Sequence, residues 1–182
     1  NCGKTTLFNG LTGATQYVGN WPGVTVEKKE GKYKEDKDIK ITDLPGIYSL
    51  SPYTLEEVVS REFLLNGYDD VVLNIIDGSN LERNLFLTTQ ILELGIPTVV
   101  AINMLDVIEK RKDTIDYKKL SKELGCPVLP ISALKNTGIK ELMAEVKKEA
   151  CTKFSAKNIY AGKVLNSLNT IETILPSNIE AS

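Results

Sequence analysis

Short runs of apolar, often β-branched residues alternate along the chain with stretches in which apolar residues recur at helical spacing. This alternation predicts an α/β fold, a doubly wound and mostly parallel sheet with helices on both faces. The predicted strands cover residues 24–33 and 39–42, which form a hairpin, and residues 71–76, 98–102 and 128–131. The predicted helices cover residues 5–11, 55–65, 81–94, 117–124 and 139–150. Residues 14–24 contain Gly, Asn and Pro without periodicity and are predicted to form a loop.

The helical pattern weakens after residue 150, which predicts a domain boundary near residues 151–157. Residues 1–150 are therefore assigned to one domain, and residues 151–182 to a linker and the start of a helical domain. Apolar residues recur at helical spacing again over residues 159–175. This stripe is expected to pack on the first domain or on helices that follow.

Composition narrows the possible functions. The chain has 182 residues, of which 42% are hydrophobic and 25% charged, as in ordinary globular proteins. Its net charge of −2 disfavours a nucleic-acid partner, which would need a concentrated basic face. The chain contains no His, which excludes His-based acid–base and metal chemistry. Its three cysteines are scattered, which suggests reduced thiols and a cytoplasmic location.

The chain begins with Asn1-Cys2-Gly3-Lys4-Thr5-Thr6, the second half of a phosphate-binding G-x-x-x-x-G-K-[ST] loop. In such loops backbone N–H groups and the Lys hold phosphates, and the Ser or Thr hydroxyl binds Mg²⁺. All six residues are candidate nucleotide ligands. The first half of the motif and the strand before it are absent, so we expect the first, central strand of the sheet to lie outside the given chain.

A second motif, Asp43-Leu44-Pro45-Gly46, follows the predicted strand 39–42. Ligands of open parallel sheets bind where the strands end. There Asp43 is placed to hold Mg²⁺ through a water, and Gly46 allows its backbone N–H to approach a terminal phosphate. The alternative is a β-turn built from Asp, Pro and Gly.

Two further motifs follow the next strands of the predicted sheet. Asn103-Met104-Leu105-Asp106 ends the strand 98–102, and its Asp106 carboxylate can accept two hydrogen bonds from guanine, whereas adenine offers it no such donors. The alternative is a strand-end Asn followed by an Asp that caps a helix. Ser132-Ala133-Leu134 ends the strand 128–131, where a backbone N–H can meet the guanine O6.

Together these motifs, in this order over residues 1–150, resemble those of GTPases related to Ras and the translation factors. The segment Val18-Gly19-Asn20-Trp21-Pro22-Gly23-Val24-Thr25-Val26-Glu27 resembles the first switch region of FeoB-type ferrous-iron transporters. Residues 3–9 and 43–50 resemble the same family. A single Trp in a loop is ordinarily expected to be a buried anchor, but the motif around Trp21 favours a role in the switch.

The resemblance implies roles for individual residues. Lys4 would contact the β- and γ-phosphates, Thr5 and Thr25 would place hydroxyls on Mg²⁺, and Gly23 and Val24 would border the nucleotide. Asn1 would bind K⁺ together with the carbonyls of Gly19 and Trp21. The catalytic residues would then be Asn1, Lys4, Thr25 and Gly46. Many Ras-type GTPases carry a Gln where this chain has Ile47, and an apolar side chain cannot orient water, so slow intrinsic turnover is expected.

The leading hypothesis is GTP hydrolysis that regulates ferrous-iron uptake through an attached membrane permease, at the cytoplasmic face of the cell membrane. A homo-oligomer is possible, and no nucleic-acid partner is expected. One alternative is a soluble potassium-activated GTPase of tRNA modification or ribosome assembly. Another is a nucleotide-binding scaffold with negligible turnover, which Ile47 would favour.

Overall fold

The structure, a computed structural model, describes residues 2–14, 16–66 and 71–152. The helices are Lys4–Thr12 (α1), Leu55–Leu65 (α2), Leu81–Glu93 (α3), Leu105–Arg111 (α4), Tyr117–Leu124 (α5) and Ile139–Thr152 (α6). The strands are Gln16–Asn20 (β1), Glu27–Tyr33 (β2), Asp36–Asp43 (β3), Val72–Asp77 (β4), Thr98–Asn103 (β5) and Val128–Pro130 (β6). A single turn of 3-10 helix, Gly78–Asn80, joins β4 to α3.

The strands form two sheets of three. β1, β2 and β3 are antiparallel neighbours in that order, and β4, β5 and β6 are parallel neighbours. The predicted hairpin is therefore confirmed as β2 and β3. The sequence predicted a single sheet whose central strand lies outside the given chain. The structure differs, because β3 and β4 are not paired and belong to two separate sheets.

The prediction of a loop over residues 14–24 was wrong in part, because β1 occupies Gln16–Asn20 and pairs with β2. Its two large apolar residues, Tyr17 and Val18, are adjacent in sequence and both exposed. The strand therefore lacks the alternation of buried and exposed positions by which a strand is recognised in a sequence. Backbone pairing with β2, rather than burial of side chains, forms it.

The core lies on both faces of β5, all of whose residues are buried. Successive side chains of a strand point to opposite faces. Accordingly Val100 and Ile102 pack in one cluster with residues of α3, α4 and α5, while Val99 and Ala101 pack in another with residues of α1 and α6. Helices thus cover both faces of the parallel sheet, which confirms the predicted α/β class.

The helix predictions agree with the structure, with one omission. Helices α2 and α5 have their predicted bounds, and α1, α3 and α6 differ by one or two residues at their ends. Helix α4 was not predicted, because its first residues, Leu105 and Asp106, were assigned to the motif that follows β5. The predicted helix over residues 159–175 lies outside the described residues, as do Asn1 and most of the predicted boundary region.

Cys126 is a buried thiol in the cluster on the α3–α5 side of the sheet. Burial, with a smaller contribution from the Glu149 carboxylate, raises the pKa of Cys126 to about 12. The thiol therefore stays protonated near neutral pH, where it is a weak nucleophile. In the described part of the chain all three cysteines are free. No helix of that part combines the length and the apolar character that crossing a bilayer requires.

Candidate functional site

The phosphate-binding loop leads directly into α1, whose first residue is Lys4. Gly3 precedes it in the left-handed region, at φ 88°, and no side chain caps the helix. The first N–H groups of a helix have no partner within the helix, and an uncapped N-terminus therefore favours an anionic ligand. Helix α1 begins where the sequence predicted phosphate binding.

Asn103, the last residue of β5, joins two loops of the site through its side chain. Its Nδ2 donates to the carbonyl of Cys2 at 2.8 Å, and its Oδ1 accepts from the backbone N–H of Ala133 at 2.9 Å. The side chain is buried, so both amide groups need these partners. We refer to Cys2, Gly3, Asn103 and Ala133 as the Asn103 clamp.

Gly3 has no room for a side chain within the Asn103 clamp. A Cβ atom at Gly3 would lie 2.2 Å from the Asn103 Nδ2 and 3.9 Å from the Cβ of Ala133. Its positive φ adds a second reason for Gly, since other residues are strained in that region. The glycine of the loop is therefore required by the approach of Asn103 as well as by the turn.

Lys4 connects the phosphate-binding loop to the Asp43–Gly46 motif. Its Nζ lies 3.1 Å from the Oδ1 of Asp43 and also donates to the carbonyl of Leu44. A Cβ at Gly46 would lie 4.0 Å from the same Nζ. The Lys4 ammonium group therefore stands between the two motifs that the sequence assigned to the phosphates.

The chain after Gly46 is held by side chains of α2 and α3. The Ser49 hydroxyl donates to Glu57 at 3.2 Å, and the Leu50 N–H donates to the Gln90 Oε1 at 2.8 Å. Glu57 also completes a capping box with Thr54 at the start of α2. Sequence reasoning missed these residues, although the Thr-x-x-Glu spacing of the capping box was a usable signal.

Trp21 lies in the turn between β1 and β2, the predicted first switch. Its backbone N–H donates to the Val26 carbonyl at 2.9 Å, and its backbone carbonyl accepts from the Val24 N–H at 3.2 Å. Its side chain is buried and packs edge-on against Phe63 of α2, with the ring centroids 5.2 Å apart. The side chain of Trp21 is therefore a buried anchor, the role that the sequence had disfavoured. The group predicted to bind K⁺ is a different one, the backbone carbonyl of Trp21.

Asp106 lies in the first turn of α4, close after the buried Asn103. The intervening Met104 adopts a left-handed conformation with φ 68°, which is uncommon for a residue other than Gly. The neighbouring strand end packs closely here, since a Cβ at Gly78 would lie 2.9 Å from the Asn103 carbonyl oxygen. The Asn103–Asp106 motif is therefore built into a tight turn at the end of the sheet.

The third strand end places Ser132, Ala133 and Leu134 differently. Ser132 is buried and exchanges backbone hydrogen bonds with Thr137, whereas Leu134 is largely exposed. Ala133 lies between them and belongs to the Asn103 clamp. The structure thus brings Ala133 to the phosphate-binding loop and leaves the side chain of Leu134 at the surface.

The side chains proposed for Mg²⁺ carry suitable donor atoms. Hydroxyl and carboxylate oxygens are the ligands that this hard cation prefers, and Thr5, Thr25 and Asp43 supply them. Of these three residues, Thr5 and Thr25 are exposed. Within the described ranges, no group of three Cys, Asp or Glu side chains is arranged to hold a metal ion.

A phosphate-binding loop, an Asp-x-x-Gly motif and an Asn-x-x-Asp motif, joined through Lys4 and Asn103, define a G domain of the P-loop GTPase class. A family model described as ferrous iron transport protein B matches residues 1–146. The chain belongs to the ferrous iron transport protein B family.

Individual relatives agree with this assignment. The Fe(2+) transporter FeoB of Shigella flexneri is 46% identical over 184 residues, covering 98% of this chain and 24% of the transporter. The cytosolic domain of L. pneumophila FeoB has a TM-score of 0.75 at 51% identity, covering 82% of this chain and 64% of that one. S. thermophilus NFeoB bound to GDP·AlF4⁻ and K⁺ has a TM-score of 0.72 at 54% identity, covering 81% and 57%. The chain thus spans about a quarter of the length of the curated relative.

Proposed function

We propose that this G domain hydrolyses GTP and thereby regulates ferrous-iron uptake through a membrane permease carried by the same longer protein. The observation that carries the proposal is the Asn103 clamp, which ties the guanine motif to the phosphate-binding loop. Family membership supports the transporter hypothesis over a soluble GTPase of tRNA modification or ribosome assembly. The domain would work at the cytoplasmic face of the cell membrane, as a monomer or a homo-oligomer.

In this proposal each part of the site has one task. Lys4 exchanges its contacts with Asp43 and Leu44 for the β- and γ-phosphates, and the Gly46 N–H approaches the γ-phosphate. Thr5 and Thr25, with Asp43 through water, hold Mg²⁺, which neutralises charge on the phosphates when bound. Asp106 and the backbone around Ala133 recognise guanine. The chemistry is positioning and charge neutralisation rather than covalent catalysis.

Potassium would complete the site. Ile47 cannot orient the attacking water, so intrinsic turnover is expected to be slow and to depend on added positive charge. Asn1, with the carbonyls of Gly19 and Trp21, is the proposed K⁺ site. The K⁺ found with the S. thermophilus relative supports this assignment.

GTP hydrolysis by the complete G domain should therefore be faster in KCl than in NaCl at equal ionic strength. We expect a ratio of about ten or more, because a charge placed beside the transferring phosphoryl group has large effects on its rate. Phosphate release is the measurement, and Asn1→Ala should remove the difference between the two salts. Equal rates in the two salts, or an Asn1→Ala variant that still responds to K⁺, would contradict the potassium site.

Coupling to iron needs a test in a membrane. This chain can replace the corresponding quarter of the Shigella flexneri transporter, and uptake of radioactive ferrous iron can then be measured in cells that lack their own transporter. We expect the chimera to transport iron and its Lys4→Ala variant to lose most of that uptake at an equal amount of protein in the membrane. Uptake that does not respond to Lys4→Ala would show that GTP use by this domain does not regulate transport.

A further inference from the structure

The segment from Tyr48 to Leu50 lies along one face of α3. The guanidinium carbon of Arg83 lies 4.2 Å from the centroid of the Tyr48 ring, and the Gln90 Oε1 accepts from the Leu50 N–H. Arg83 and Gln90 are about two helical turns apart and therefore share a face of α3. The segment thus runs along α3 in the direction of the helix, from the contact of Tyr48 with Arg83 to the contact of Leu50 with Gln90.

These contacts fix the far end of the segment that carries Gly46. Its near end is held where Asp43 pairs with Lys29 of β2 and contacts Lys4. Its far end is held at Leu50, whose side chain is buried and whose N–H is bound by Gln90. Gly46 and Ile47 lie between the two fixed points, and their backbone positions depend on both.

We propose that Gln90 is a positioning residue for GTP hydrolysis, acting through the Leu50 N–H to hold the backbone of Gly46 and Ile47 at the γ-phosphate. The inference rests on the proposed hydrolysis of GTP. Its physical reason is the apolar side chain of Ile47, which cannot orient water and leaves that task to groups whose place the backbone determines. A loosened segment therefore lowers turnover while the nucleotide still binds through the phosphate-binding loop and Asp106.

A purely structural role for Gln90 makes a different prediction. An N–H group that loses its partner in a partly buried place destabilises the protein, whatever the segment does in catalysis. Such a role would lower the melting temperature and would change kcat no more than KM or the affinity for GDP. Comparing the change in kcat with the changes in KM and in the affinity for GDP therefore distinguishes the two roles.

Gln90→Met keeps the length of the side chain and removes its acceptor, whereas Gln90→Glu keeps an acceptor oxygen in the same place. We expect Gln90→Met to lower kcat about fivefold, with KM and the Kd for GDP within about twofold. Gln90→Glu should recover most of the turnover. Glu93→Gln, an exposed position one turn further along α3, is the matched control and should leave kcat unchanged.

Hydrogen exchange of the Leu50 amide provides a readout that does not depend on turnover. It should be slow in the unmodified chain and in Gln90→Glu, and clearly faster in Gln90→Met. If Gln90→Met does not fold, Gln90→Asn allows the same comparison, because its carboxamide is one methylene too short to reach Leu50.

An unchanged kcat in Gln90→Met, an equal loss in Gln90→Glu, or a parallel loss of GDP affinity would each overturn the role of Gln90. A Leu50 amide that exchanges freely in the unmodified chain would also overturn it. Absence of GTP turnover in the complete G domain, with the phosphate-binding loop entire, is a different result, since it would overturn the proposed function itself.

Discussion

Gly3→Ala is expected to abolish measurable GTP binding and to lower the free energy of unfolding by about 3 kcal/mol. The added methyl group would lie 2.2 Å from the Asn103 Nδ2, and Asn103 cannot withdraw without losing its bonds to Cys2 and Ala133. A left-handed conformation costs a residue other than Gly about 1–2 kcal/mol, and each buried group left without a partner costs about 1–3 kcal/mol. Urea denaturation and titration with a fluorescent GDP analogue measure the two effects.

Gly10→Ala is the matched control for this substitution. Gly10 lies inside α1, and its φ is not in the left-handed region. Among the described residues, no atom beyond its chain neighbours and the nearby backbone of its own helix lies within 4 Å of where its Cβ would be. Inside a helix Ala is more favourable than Gly by about 0.8–1.0 kcal/mol. Gly10→Ala should therefore stabilise the chain slightly and leave nucleotide affinity unchanged. A Gly3→Ala variant with the stability and GTP affinity of the unmodified chain would mean that Asn103 moves aside freely.

The sequence identified the strand ends of the site because buried apolar runs stop there at polar residues. Asn103 ends such a run and Ser132 follows one, and the parallel strands β5 and β6 bring their carboxyl ends to one edge of the sheet. Asp43 instead ends β3 of the antiparallel sheet, none of whose residues is buried, and its Asp-x-x-Gly spacing identified it. The positions of Asn103 and Ser132 therefore agree with periodicity, and the family followed from the motifs taken together. The confirmed α/β class rests on the same periodicity.

The contacts between the motifs could not be predicted from the sequence. Asn103 bonds to Cys2 across 101 positions, and no local pattern encodes a partner at that distance. Gln90 lies in a helix that is partly exposed, where a polar residue that faces Leu50 looks the same as one that faces solvent. The side chain of Trp21 was misjudged for a related reason, since its partner Phe63 belongs to a helix far along the chain.

Asp106→Asn is expected to weaken GTP binding about a hundredfold or more and to make xanthosine triphosphate the better ligand. The carboxylate of Asp106 would accept from N1–H and the 2-amino group of guanine, and charge-assisted hydrogen bonds contribute about 1.5–3 kcal/mol each. An Asn side chain presents its own NH2 group, which repels the 2-amino group of guanine but donates to the 2-oxo group of xanthine. Competition of the two triphosphates against a fluorescent GDP analogue measures the reversal.

The sequence offered a helix-capping role for Asp106, but the N-cap of α4 is Met104 and no side chain caps the helix. The remaining alternative, a negative charge that only stabilises the first turn of α4, predicts a different outcome. Loss of a negative charge in the first turn of a helix costs about 0.3–1 kcal/mol of stability and does not change which base is preferred. Asp113→Asn removes the same charge from an exposed position beyond the end of α4 and should change neither affinity. A lower melting temperature with guanine still preferred would assign Asp106 to the helix, whereas a change of preference to xanthine assigns it to the base.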